Sequence, residues 1–247
     1  MTRTCRIALA AAAVATALAA PAAFAHGTWF MQRANQTAMI FGVGGDDLDM
    51  VKRLPKVTET RGWDADQKEV PARLDVAGPL VVVNVDSKPV VVAVKFDYGL
   101  WAKTKDGKWH NKGYDEVPDA VISEHNFKYA VHIRGELNGP LGPLEGQKLQ
   151  ILPLVKSLPE KAGRPLKLKV IFEGKPVKGA RIITDYVNDP DMKPLRTAAD
   201  GTVTIKVRNQ GLNVITAIHD SKPFDPDKSR KNEHLATLSF VLPHEPE

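Results

Sequence analysis

Leu166-Lys167-Leu168-Lys169-Val170-Ile171-Phe172 sets two leucines and a valine against two lysines in alternation and closes on Ile171 and Phe172. A period of two places successive side chains on opposite faces, so the segment reads as a strand with one dry and one wet face. Glu173-Gly174-Lys175-Pro176 then turns the chain, and Gly179 to Tyr186 returns. Asp200-Gly201 makes a tight turn into Thr202 to Val207, and Gly211 to His219 and His234 to Leu242 supply two more strands. Five or six short strands at this spacing predict a β-sandwich.

Upstream, Thr37 to Val43, Leu80 to Val85, Val90 to Tyr98, Phe127 to Ile133 and Lys148 to Leu152 are also β-branched or aromatic runs. They are bounded by Gly, Pro, Asn and Asp, as strands are. Asp86-Ser87-Lys88-Pro89 and Lys105-Asp106-Gly107-Lys108 read as turns, and Val117 to Glu124 is the one short helix candidate. A polar, Pro- and Gly-bearing stretch between Pro153 and Pro165 marks a boundary near residue 153. The expected architecture is all-β: two β-sandwich-like domains, at 26–153 and 154–247, the second transthyretin- or Ig-like.

Residues 1–25 are expected to be an address. Arg3 and Arg6 form a positive head, Ile7 to Ala20 is an apolar run, and Ala23-Phe24-Ala25 gives a small-residue cleavage pattern. That order is a secretory signal peptide, with cleavage after Ala25 and a periplasmic or secreted product. The apolar run is shorter than a membrane span, so the processed chain is expected not to cross a bilayer. Cys5, the single cysteine, precedes the run, which excludes a disulfide framework and a lipid-modified cysteine at the cleavage point. The formal charge of +5 falls to +3 once Arg3 and Arg6 are removed. The remaining basic residues are interspersed with acidic ones and no basic stripe appears, so nucleic acid is not an expected partner.

A Cys-free mature chain has no thiolate for a metal, so any metal site rests on His, carboxylates or main-chain groups. Cleavage after Ala25 makes His26 the first residue, whose α-amino group and imidazole can chelate one ion together; the amine titrates near pH 8. Ile215, Ala217 and His219 share one strand face, as do His234, Ala236, Leu238 and Phe240. If the two strands are antiparallel neighbours, His219 and His234 meet on one rim with Cβ atoms about 5 Å apart, beside a long loop from Asp220 to Glu233. His125 precedes its strand and can join a site, whereas His132 falls on the polar phase opposite Tyr129, Val131 and Ile133 and is expected to meet water. His110 and His244 read as surface residues.

Other motifs carry less. Gly42-Val43-Gly44-Gly45 lacks the Lys-Ser/Thr of a phosphate loop. Asp46-Asp47-Leu48-Asp49 lacks calcium-loop spacing and reads as a solvated turn. Ser123-Glu124-His125 has no nucleophile-elbow context. Trp29, Trp63, Trp101 and Trp109 read as core or rim residues.

The segments Val170-Ile-Phe-Glu-Gly-Lys-Pro-Val-Lys-Gly-Ala-Arg181, Ala199-Asp-Gly-Thr-Val-Thr-Ile205 and Gly211-Leu-Asn-Val-Ile-Thr-Ala217 resemble a transthyretin-like or carboxypeptidase-regulatory-like sandwich. With Ala25-His-Gly-Thr-Trp-Phe30, Lys128-Tyr129, Gly146 to Leu154 and the segments around His219 and His234, the mature chain resembles the DUF4198 family of exported proteins. That resemblance implies a periplasmic accessory of nickel or cobalt uptake that hands its metal to a membrane permease. Ligand type alone does not choose, because neutral imidazoles suit Ni, Co, Cu and Zn alike. The expected metal ligands are His26, His125, His219 and His234. Two other classes stand beside this reading: a copper protein or oxidase with a histidine brace at His26, and a structural or ligand-binding sandwich without metal.

Overall fold

The computed structural model describes residues 26–33, 36–84 and 89–243. The expected signal peptide, residues 86–88 of the turn expected at Asp86 to Pro89, and His244 lie outside the described residues. Strands β1 (Gly27–Arg33) and β2 (Gln36–Gly42) come first, followed by one helical turn, α1 (Met50–Arg53). Next are β3 (Val57–Trp63), β4 (Glu69–Val70), β5 (Arg73–Ala77), β6 (Leu80–Asn84), β7 (Val91–Lys103), β8 (Trp109–His110), β9 (Ile122–Ile133) and β10 (Leu149–Pro153). The remainder carries β11 (Pro165–Phe172), β12 (Lys175–Pro176), β13 (Arg181–Ile183), β14 (Leu195–Arg196), β15 (Thr202–Lys206), β16 (Leu212–Ser221) and β17 (Lys231–Val241).

The strands form three sheets. The outer four-stranded sheet runs β1-β2-β6-β5, and a second has β10, β11 and β12 with β15 also paired to β11. Between them lies a nine-stranded sheet, β14-β13-β16-β17-β9-β7-β3-β4, with β8 on β7. Alternation in the central strands shows how the layers stack. Tyr129, Val131, Ala236 and Leu238 pack with Leu149, Ile151, Leu166, Leu168 and Val170 of the β10–β11 sheet. Their neighbours face the other way: Val92, Val94 and Ala130 meet Phe30, Met39 and Phe41, while Val214, Ile218 and Leu235 meet Trp29 and Ile40. The fold is all-β and sandwich-like, with two sandwich interfaces that share the central layer.

Residue 153 ends β10, and the central sheet takes strands from both sides of that position, β9 before it and β17 after it. These two strands pair in parallel, from Lys231↔Glu124 to Phe240↔Ile133. A parallel pair needs a long crossover, and here the chain between them builds the β10–β11 sheet and strands β13 and β16. Thr237 Oγ1 donates to the Thr28 carbonyl at 2.7 Å, tying β1 to the central sheet.

Two local expectations are corrected. Val117 to Glu124 is not helical: turns end at Ala120, and Ile122 to Glu124 already belong to β9, where Ser123 pairs with Ala102 and Glu124 with Trp101. The long partner strand β7 captures these residues. His132 does not meet water but is 4% exposed, because the face read as polar lies under the β1–β2 sheet. Its ring stacks on Phe30 at 5.9 Å, and Nδ1 donates to the Ser239 carbonyl at 3.1 Å.

The turn at Asp200-Gly201 forms as read. Gly201 has φ +78°, and an added Cβ would lie 2.6 Å from the Val170 carbonyl oxygen. A left-handed non-glycine residue costs about 1–2 kcal/mol, and the contact adds to it. Gly201→Ala is therefore expected to lower the melting temperature by roughly 5 °C in differential scanning calorimetry; an unchanged transition would contradict the account.

Candidate functional site

The β16–β17 hairpin places its two histidines directly opposite each other, His219↔His234. The ladder runs two residues further, through Asp220↔Glu233 and Ser221↔Asn232, so the connecting loop is shorter than the sequence suggests and spans residues 222–230. Opposed residues project to the same face, here toward the β10–β11 sheet. Phe172 of β11 covers both rings, with centroids 4.9 Å from His219 and 4.6 Å from His234. Phe127 of β9 stacks on His234 at 5.4 Å, and Phe224 from the loop packs on Phe127 at 5.5 Å. Lys148 Nζ lies 4.4 Å from the Phe224 centroid and 3.5 Å from Glu173.

Hydrogen bonds fix the state of His234. Ser221 Oγ donates to the Lys222 carbonyl at 3.2 Å, so it accepts from His234 Nε2–H at 3.0 Å. Nδ1 therefore accepts from the Tyr129 hydroxyl at 3.2 Å. Burial pushes the Tyr129 hydroxyl above its ordinary 10, which keeps it a donor. His234 is held down to about 3, first by burial and then by the charges of His219, Lys148 and Lys128. Burial also lowers His219, with Asp220 opposing. Both imidazoles are thus neutral near pH 7, the form that ligates metals. His219 is half-buried and its ring makes no hydrogen bond among the described residues.

His125 lies on the same face but is separated from His234 by the Phe127 ring, on which it packs at 4.2 Å. Its Nε2 bonds Asp97 Oδ1 at 2.8 Å. Burial raises the Asp97 carboxyl, but the His125 bond and charge, the Gly99 amide and Lys56 together bring it below its ordinary value.

His26 sits across the central sheet. It stacks on Phe41 of β2 at 5.6 Å, on the side where Lys128 and Glu233 are buried. Its proton affinity is lowered by burial, then by Lys128 and Arg53, with Asp46 opposing. The four expected ligands therefore do not converge: His219 and His234 meet, His125 stands behind Phe127, and His26 occupies the other interface. Among the described residues no group of three or more His, Cys, Asp or Glu is placed to hold a metal ion.

A scan of known families matches the one described as "Domain of unknown function (DUF4198)" over residues 23–221. The chain belongs to the DUF4198 family. An "Uncharacterized protein" of Haemophilus influenzae is 30% identical over 95 residues, which is 38% of this chain and 40% of that protein. The chain thus spans well under half the length of this relative. No solved structure matches.

In this DUF4198 chain, sequence reasoning found the paired histidines but missed what surrounds them. Alternation places Tyr129 in the buried phase but does not name the partner that a buried hydroxyl needs. Phe172 arrives from another sheet, and no local pattern announces that. Asp49, in the acidic run, caps α1 by accepting from the Lys52 amide at 2.9 Å. No helix among the described residues is long and apolar enough to cross a membrane.

Proposed function

We propose that this DUF4198 protein is an exported carrier of a divalent transition metal, with His219 and His234 as its seat. The observation that carries the reading is their direct opposition in the β16–β17 ladder, as two neutral imidazoles at a rim. Two nitrogens fill half of a tetrahedral set, leaving positions for water or a small chelator. Such a seat suits an ion in transit better than a structural ion, and fits handover to a membrane permease. Nickel or cobalt is favoured by the family resemblance, since imidazole serves Cu and Zn as well. Coordination at His234 Nε2 would move its proton to Nδ1, which then donates to the Tyr129 oxygen.

His26 has no place in this seat. Its imidazole stacks on Phe41 across the central sheet from His219 and His234, so a copper brace there would have to form without them.

The test is calorimetric titration of the exported protein with Ni, Co, Cu and Zn. Submillimolar binding of at least one is expected, with His219→Ala weakening it at least about tenfold, as even loss of a ligand's outer partner does. One extra residue ahead of His26 is expected to change nothing. A second reading, a structural sandwich without metal, is favoured by the satisfaction of both His234 nitrogens within the protein. Absence of submillimolar binding by all four ions would establish that reading and remove the first.

A further inference from the structure

The ends of the parallel pair β9 and β17 enclose a cleft far from the paired histidines. His234 lies in the first half of β17 and Leu242 follows its end, a separation of about 26 Å along an extended chain. The cleft has a volume of about 690 Å³, within the range of small-molecule sites. Its apolar wall includes Ile133, Leu137, Leu141, Val155 and Leu158.

Two polar groups in the wall lack the partners their chemistry asks for. His132 is 4% exposed, and its Nδ1–H is committed to Ser239. Nε2 is then an acceptor, and it has no hydrogen-bond partner among the described residues. His132 lines the cleft, so a donor held in the cleft can take this acceptor. Arg134, two residues on, is oriented by its Nη1 bond to the Pro89 carbonyl at 3.1 Å. It is exposed and makes no ion pair among the described residues, although Glu136, Lys156 and Glu160 also line the cleft. Burial alone lowers its proton affinity, with no carboxylate offsetting the loss. A guanidinium beside an apolar wall matches a planar carboxylate, which it can bind through two donors.

We propose that this cleft binds a small organic acid with an apolar body and a hydroxyl beside its carboxylate. The carboxylate pairs with Arg134, the hydroxyl donates to His132 Nε2, and the apolar body lies against Leu141, Val155 and Leu158. This site is independent of the metal seat at the opposite end of the sheet.

Titration with 2-hydroxyoctanoate, octanoate, 1-octanol and octylamine tests it. The expected order is 2-hydroxyoctanoate tightest, octanoate next, and octanol and octylamine at least about tenfold weaker than octanoate, the scale of a charged hydrogen bond. Arg134→Gln is expected to bring both acids to the level of octanol while leaving octanol and the melting temperature unchanged. Leu158→Trp, which fills the cleft, weakens all four probes. Equal binding of octanoate and octylamine, unchanged acid binding by Arg134→Gln, or no acid binding at millimolar concentration would overturn the proposal.

Discussion

Glu233→Ala is expected to destabilise the protein by about 3–5 kcal/mol, the usual consequence of removing one partner of a buried ion pair. Lys128 is fully buried, and its Nζ lies 3.1 Å from Glu233 Oε1, whose side chain is 9% exposed. The remaining support is Asn126 Oδ1 at 3.2 Å, which carries no charge. Without Glu233 the ammonium stays under the β1–β2 sheet with a neutral acceptor and no route to water. Asn126 in turn donates to Glu124 at 3.2 Å, and Glu124 pairs with the more exposed Lys231 at 3.3 Å. Charge therefore grades from the interlayer toward solvent, and Glu124→Ala is expected to cost less than Glu233→Ala. Urea unfolding of both variants and of Lys128→Met/Glu233→Leu checks the argument. The double variant removes both charges and is expected to recover most of the stability. A loss below about 1 kcal/mol for Glu233→Ala would mean that Lys128 finds water or another acid.

The same residues mark where the sequence stopped being legible. Phe127-Lys128-Tyr129-Ala130-Val131-His132-Ile133 alternates as a strand does, and the strand is there. Alternation identifies two faces, but it does not say that the polar one is wet. Here that face is covered, with Glu233 supplied from β17 and the Ser239 carbonyl also from β17, more than a hundred residues away in sequence. β1 gives no strand signal for a related reason: Thr28, Trp29 and Phe30 are all buried, so no alternation shows. The opposition of His219 and His234 was legible because it depends only on one hairpin's phase. The position of His26 was not, since it depends on which layer β1 joins. That layer is set by contacts such as Trp29 with Leu235 and Phe30 with Ala130.

Acid titration is the second large expected effect, and it begins above the carboxylate range. His132 falls from the ordinary 6.5 to about 4, chiefly through burial, with the Ser239 carbonyl bond opposing and Arg134 adding to the drop. Between those two values the unfolded chain binds a proton that the folded chain refuses, so stability falls as the pH falls through that window. The shift corresponds to about 3 kcal/mol lost between pH 6.5 and 4. His234, held down to about 3, acts in the same direction over a slightly wider window. Asp97 does not confuse the interval: its carboxyl lies below the ordinary 3.8, so its contribution is present above that pH and lost only further down. His132→Gln can retain a donor toward Ser239 but does not titrate. It is expected to flatten the decline in unfolding free energy between pH 6.5 and 4 by about the same 3 kcal/mol, whatever its own stability at pH 7. Urea unfolding at pH 7, 5.5 and 4.5 measures the slope directly. If His132→Gln and the parent lose stability in parallel, His132 is already protonated in the folded state near pH 6, and its seat between Phe30 and Ser239 must admit a charge.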